Sequence, residues 1–173
     1  MKTDRTYEAA GVFERILLAV DAAPQAVWAT ELVARMAARS QAHVLIVHVL
    51  PSDLDRPTLD DLDEAVHAEH RARGSMILED AASRFNGGPK PEMVLREGSP
   101  ATEIVAAAIE WKADVIVLGT HGRGRLSRFV LGSTAESVIR RAHCPVLTVA
   151  HGPHGSNGQA EPVQEEVDAF AGI

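Results

Sequence analysis

The chain has 173 residues, of which 46% are hydrophobic and 24% are charged, and its formal net charge is −7 at pH 7. This length and composition are typical of one globular domain with a full hydrophobic core, and the acidic balance argues against a nucleic acid or an anionic membrane surface as the main partner. One cysteine excludes an internal disulfide framework, and no apolar run approaches the roughly 20 residues that span a bilayer, so we expect a cytoplasmic protein without membrane insertion.

A polar N-terminal arm over residues 1–13 precedes the first predicted strand, at residues 14–20 (ERILLAV), and Asp21 follows at the carboxyl end of that strand. The arm has no apolar core of the signal-peptide type. The first helix is predicted to begin at Pro24, because the missing proline N–H costs nothing in a first helical turn. Apolar residues at four-residue spacing give this helix a face that packs on the sheet. They are Trp28, Leu32 and Met36.

The second strand is predicted at residues 42–50 (AHVLIVHVL), and Pro51 ends it. A second helix is predicted over residues 58–85, either continuous or interrupted near Gly74, since glycine is a poor helix former. The sequence NGGP at residues 86–89 breaks the chain before the next element.

Three charged or metal-binding side chains recur at three-residue spacing on the second helix. Glu64, His67 and His70 would lie on one helix face, which is compatible with a divalent metal. The sequence fixes no fourth ligand, so a solvated helix face is the favoured interpretation and no metal site is predicted.

The second half of the chain repeats the alternation of strand and helix. A third strand is predicted at residues 91–96, a helix capped by Ser99 follows it, and a fourth strand covers residues 114–118. The last helix begins near Ser133, and the last strand covers residues 146–149. This pattern predicts a single α/β domain, with a doubly wound, five-stranded parallel sheet and helices on both faces.

The predicted domain covers residues 14–150 and leaves a tail at residues 151–173. The tail is rich in glycine and scattered acidic residues and has no apolar periodicity. We therefore expect a flexible C-terminal tail.

A glycine-rich segment between the fourth strand and the last helix predicts an anion site. Gly119, Gly122 and Gly132 have no Cβ, so backbone N–H groups there can approach phosphate oxygens closely. Ser133 and Thr134 lie in the first turn of the following helix, where unpaired N–H groups and the helix dipole favour an anion. We interpret the segment as a site for the phosphates of a nucleotide.

Three features of this segment have alternative explanations. Arg123, with Arg125 and Arg128, supplies positive charge without a neighbouring acid, but these side chains could also form a solvated loop face. The glycines could serve tight turns alone. Ser133 and Glu136 match a capping box, in which the serine hydroxyl would satisfy helix N–H groups without any ligand.

The spacing of the segment resembles the ATP-binding signature of the universal stress protein family. Gly119 is followed by two residues and Gly122, then by nine residues and Gly132-Ser133, within flanking sequences VIVLGTHGRG and CPVLTV. The resemblance covers about residues 14–150. It implies the strand order 3-2-1-4-5, in which the crevice for a ligand lies at the carboxyl ends of strands 1 and 4.

The resemblance also implies the ligand, two further site residues and the assembly. It implies ATP with Mg²⁺ or Mn²⁺ bound through the phosphates, and a homodimer in which the last strand pairs across a two-fold axis. Asp21 matches an acid beside adenine, ribose or a metal-linked group, although it could serve only as an anion near a helix N-terminus. Val49 matches a position whose backbone reads the adenine edge, although it could equally be plain core.

The leading functional hypothesis is a regulatory ATP-binding protein whose occupancy changes the surface offered to an unidentified protein partner. The first alternative is a slow ATPase or phosphotransfer enzyme, for which Asp21 and the loop arginines are the candidates; the loop has no lysine and is not a P-loop of the Walker type. A stress-response module without bound nucleotide is the second alternative. A flavin-binding protein of the flavodoxin type is compatible with the topology, but the aromatic side chains that would stack on a flavin are scarce.

Overall fold

The computed structural model describes residues 13–51, 60–120 and 131–150. Most of the predicted N-terminal arm and the whole predicted tail, residues 151–173, lie outside these ranges. The same is true of two predicted site residues, Gly122 and Arg123.

The described residues form five strands and four helices in strict alternation. Their bounds are β1 Arg15–Ala19, α1 Pro24–Ser40, β2 His43–Leu50, α2 Asp60–Ser83, β3 Glu92–Glu97, α3 Pro100–Trp111, β4 Val115–Gly119, α4 Ser133–Arg141 and β5 Val146–Val149. All neighbouring strands pair in parallel, in the order β3-β2-β1-β4-β5. The predicted fold class and strand order are confirmed.

The central strand β1 is buried on both faces, because helices cover both sides of the sheet. Ile16 and Leu18 pack with buried residues of α1 and α2, including Val33 and Leu78. Leu17, the residue between them, packs with α3 and α4 instead. Alternate side chains of a strand point to opposite faces, so a continuous apolar run is what a strand between two helical layers requires.

Helix α2 passes through Gly74 without interruption, so the continuous alternative is the correct one. The glycine serves close packing: a Cβ at this position would lie 2.7 Å from Leu95 Cδ1 and 3.2 Å from both His48 Cδ2 and Leu50 Cδ2. The missing side chain therefore lets the helix lie directly on the carboxyl ends of β2 and β3, which outweighs the low helix propensity of glycine.

Of the helices in the described part of the chain, none combines the length and the apolarity that a bilayer crossing requires.

Candidate functional site

A cavity of about 880 Å³ opens at the carboxyl ends of β1, β2 and β4. The strand order brings these ends together, since β1 and β4 are neighbours although about 100 residues separate them in the chain. Six predicted site residues line the cavity: Asp21, Val49, Gly119, Gly132, Ser133 and Thr134. The structure thus places them in one crevice at the switch point of the sheet, where ligands of doubly wound folds bind.

Asp21 forms one rim of the cavity, directly after β1. Its Oδ1 accepts a hydrogen bond from the Ala23 N–H at 3.0 Å, so the carboxylate closes a short turn before α1. The side chain is half-buried and contributes negative charge to the crevice. Asp21 therefore has a structural contact of its own, and its other oxygen keeps acceptor capacity, because an ionised carboxylate offers about four lone-pair directions.

The opposite rim is held together by backbone hydrogen bonds at the end of β4. The Thr120 N–H donates to the Val149 carbonyl at 3.0 Å, and the Gly132 N–H donates to the Thr120 carbonyl at 2.7 Å. These bonds hold Thr120 beside Gly132, so the residues on either side of the segment 121–130 are fixed next to each other. Gly119 lies immediately before it, as the last residue of β4.

Helix α4 begins at this rim and directs its first turn toward the cavity. Gly132 is the N-cap residue, and the Glu136 N–H donates to its carbonyl at 2.9 Å. The N–H groups of Ser133, Thr134 and Ala135 precede this bond and have no acceptor four residues earlier inside the helix. All three residues line the cavity, so the arrangement suits an anion.

The predicted capping box of Ser133 and Glu136 does not form. Ser133 is the first helical residue and not the cap, and among the described residues no side chain caps the helix N-terminus. Glu136 instead forms an ion pair with Arg140 at 2.9 Å, one helical turn later. The motif predicts Ser133 as the N-cap residue, whereas the N-cap is Gly132, one position earlier, whose backbone is extended and which has no side chain. The Ser133 hydroxyl is left at the edge of the cavity.

β2 contributes the floor of the cavity beside β1. Val49 is 8% exposed and packs in the core, and it lines the cavity as well. His48 is buried, and its Nδ1 lies 2.8 Å from the Val20 carbonyl oxygen, which can only accept, so this nitrogen donates. The histidine ties the ends of β1 and β2 together below Asp21.

Sequence reasoning missed the wall that α2 contributes. His70, Arg73, Gly74 and Ile77 line the cavity. Their spacing of three, four and seven residues places them on one helix face, and this periodicity was the available signal. It could not be assigned to the site, because only the packing of Gly74 on β2 shows where that face lies.

His70 therefore lies on the cavity wall and is not merely part of a solvated helix face. Among the described residues, no group of three or more His, Cys, Asp or Glu side chains is arranged to hold a metal ion, and this includes Glu64, His67 and His70.

Comparison with known proteins identifies the family that shares this architecture. The family model described as "Universal stress protein family" matches residues 13–150. The "Universal stress protein in QAH/OAS sulfhydrylase 3'region" of Thermus aquaticus is 34% identical over 142 residues, which is 80% of this chain and 99% of that protein.

Two similar solved structures contain nucleotides. The universal stress protein from Archaeoglobus fulgidus in complex with dAMP has a TM-score of 0.54 and 28% identity, over 78% of this chain and 96% of that one. A universal stress protein in complex with cAMP has a TM-score of 0.61 and 25% identity, over 79% of this chain and 97% of that one.

Proposed function

This chain belongs to the universal stress protein family, and we propose that it is an ATP-binding member that acts as a regulatory nucleotide sensor. The observation that carries the proposal is the cavity at the carboxyl ends of β1 and β4, in which Asp21 and the first turn of α4 form opposite rims. Related proteins have been solved with dAMP and with cAMP, so the family accommodates adenine nucleotides in this architecture.

The size and chemistry of the cavity fit a nucleotide. Its volume of about 880 Å³ falls within the range of roughly 300–1,000 Å³ that small-molecule sites occupy. Buried apolar residues such as Val47, Ile104 and Leu118 line its interior, and most of its polar groups lie at the rims and on α2. A flat apolar base and a charged phosphate chain need this division.

The phosphates are assigned to the rim formed by Gly119, Gly132 and the first turn of α4. Backbone N–H groups there have no acceptor inside the helix, and the Ser133 and Thr134 hydroxyls add donors beside them. We propose that Gly122 and Arg123, which lie outside the described residues, complete this end. Mg²⁺ or Mn²⁺ would be held through the phosphates and would neutralise part of their charge.

The nucleoside is assigned to the rim formed by Asp21 and Val49. A carboxylate accepts hydrogen bonds from ribose hydroxyls, and the backbone of a strand end offers both a donor and an acceptor to a base edge. Asp21 carries negative charge, so it suits the nucleoside end and would repel phosphates.

The proposed regulation depends on the segment that begins and ends at the phosphate rim. Residues 121–130 connect Thr120 to Leu131, and both of these line the cavity. Binding of phosphates at this place would change the conformations open to the segment and so the surface offered to a protein partner. ATP can shift the segment from one conformation to another only if it binds the two with different affinities. The partner must in turn distinguish the two conformations.

A homodimer through β5 is part of the same proposal. Within the described residues, β5 pairs with β4 alone, so its second edge is open to another strand. Pairing of two copies at this edge would cover it, which natural sheets commonly require. We also propose the cytoplasm as its location, since a single cysteine is typical of a reducing compartment.

The enzymatic alternative depends on Asp21 and on loop arginines that lie outside the described residues. A phosphotransfer reaction needs a group that stabilises charge in line with the transferred phosphate. The arginines considered for this role lie within 121–130. No contact of the described residues favours this alternative over binding alone.

The test is to denature freshly purified protein and identify any released small molecule by mass, with titration calorimetry of the ligand-free chain as the second measurement. We expect an adenine nucleotide in the released fraction, or a saturable heat with ATP and Mg²⁺. A chain that releases no nucleotide and gives no heat with ATP would instead support the stress module without nucleotide.

A further inference from the structure

The wall of the cavity formed by α2 carries a permanent positive charge, which the other described residues of the site lack. Arg73 is the one arginine or lysine among the described residues that line the cavity, and His70 lies one turn before it on the same helix face. Together with Ile77 they present a planar cation, an imidazole ring and an apolar side chain toward one space. We call His70, Arg73 and Ile77 the α2 wall.

The α2 wall lies at the nucleoside end of the cavity. Gly74 packs against His48 and Leu50 at the end of β2, so the residues of the adjoining turn stand above that strand. Val49 and Leu50 line the cavity from below. α2 and α4 pack on opposite faces of the sheet, so the α2 wall and the proposed phosphate rim lie on different sides of the cavity.

The side chains of His70 and Arg73 line the cavity and still contact solvent. His70 and Arg73 are exposed, and Arg73 Nη2 lies 2.7 Å from Glu69 Oε1, one turn earlier on the helix. The side chains of this ion pair are 70% and 61% exposed, so the pair stabilises little and does not prevent the guanidinium from meeting a ligand. The carboxylate at one edge of the guanidinium leaves its planar faces available, because it binds N–H groups in the plane.

We propose that the α2 wall binds the nucleobase, with the imidazole of His70 and the guanidinium of Arg73 packed against the faces or edge of a purine. This inference rests on the proposed function and assigns the specificity for the base to residues outside the glycine signature. Imidazole rings and guanidinium planes stack on bases through their π-faces, and a cation near an aromatic face is attracted electrostatically. A purine offers a larger face than a pyrimidine, so the wall favours ATP over CTP.

Competing roles for these residues predict different behaviour. If Arg73 served the phosphates, its removal would weaken all nucleoside triphosphates alike. If His70 and Arg73 only stabilised α2, their removal would lower thermal stability and change no ratio between ligands. A base-binding wall alone predicts a loss that depends on which base the ligand carries.

The experiment compares ATP and CTP binding by titration calorimetry for the full chain and two variants. The test variant is the double substitution His70→Ala and Arg73→Ala. The matched control is Arg71→Ala, on the same exposed helix, because Arg71 pairs with Glu97 at 3.6 Å and does not line the cavity. Thermal unfolding of each variant checks that the fold is kept, which we expect since all three side chains are exposed.

We expect the double variant to bind ATP about fivefold to thirtyfold more weakly, as expected for lost stacking and cation–π contacts, and to lose less affinity for CTP. The ratio of ATP to CTP affinity should fall, while Arg71→Ala leaves it unchanged. An unchanged ratio in the double variant, or an equal change in the control, would overturn the inference while the wild-type ATP affinity still upheld the proposed function. A wild-type chain that binds no ATP would overturn both.

Discussion

At the scale of single residues, Asp21 combines a structural contact with a proposed ligand contact, and two substitutions separate them. Asp21→Asn keeps an oxygen that accepts from the Ala23 N–H and removes the charge, whereas Asp21→Ala removes both. Hydrogen bonds to charged groups contribute about 1.5–3 kcal/mol. We therefore expect both variants to bind ATP about tenfold more weakly or worse, and only Asp21→Ala to lose stability as well.

Calorimetry with ATP and with inorganic tripolyphosphate shows whether the lost affinity concerns the nucleoside or the phosphates. The carboxylate is assigned to the nucleoside end, so tripolyphosphate should lose less affinity than ATP in either variant. Equal losses for the two ligands would contradict this assignment of Asp21.

Gly74 is the residue at which packing overrides helix propensity. In Gly74→Val, the new side chain would meet Leu95, His48 and Leu50, whose nearest atoms lie 2.7–3.2 Å from the position of a Cβ. Overpacking of this kind costs about 1–3 kcal/mol. We expect a lower midpoint of thermal unfolding than for Ala72→Val, which places the same β-branched residue at an exposed position of α2.

Equal midpoints for these two valine variants would mean that the helix does not need its close approach to β2. The position of the α2 wall relative to the sheet would then not depend on the close packing of Gly74 against β2.

At the scale of elements, β5 offers a direct test of the proposed homodimer. The carbonyls of Pro145 and Val149 accept from the N–H groups of Ile116 and Thr120, and residues of a strand alternate in direction, so the Thr148 N–H points to the open edge. Thr148→Pro removes that N–H without removing a bond to β4. Thr148→Val keeps the N–H and serves as the control.

We expect Thr148→Pro to be a monomer in light scattering at concentrations where the wild type and Thr148→Val are dimers. A dimer that survives this proline would show that the copies do not pair through β5, and so would a wild-type chain that is monomeric throughout.

The elements themselves could be predicted from sequence wherever apolar periodicity was strong. All five strands lie within about one residue of their predicted bounds, because each contains an apolar run, and this run is longest in the strands that are covered on both faces. The start of α4 at Ser133 was predicted correctly, but the role of Ser133 was not, because Ser133 and Glu136 matched a capping motif and Gly132 is the cap residue. Local motifs cannot show which of two competing caps is used.

At the scale of the whole molecule, the strand order came from the family resemblance, since strand periodicity alone does not fix the order of strands in a sheet. That order brings Asp21 and Gly132 to one cavity although they are far apart in the chain. The contribution of His70 and Arg73 could not be predicted, because the position of α2 above β2 depends on tertiary packing at Gly74.

The central claim is that backbone without side chains at Gly132 admits phosphates to the first turn of α4. Gly132 has φ −62° and ψ 148°, which any residue adopts, so Gly132→Val keeps the fold and adds a side chain where phosphates would approach. Calorimetric titration of the ligand-free wild type and of this variant with ATP and Mg²⁺ tests the claim most directly. We predict one saturable site per wild-type chain and no saturable heat for the variant at an unchanged unfolding temperature; identical titrations of the two proteins, or no binding by the wild type, would contradict the account.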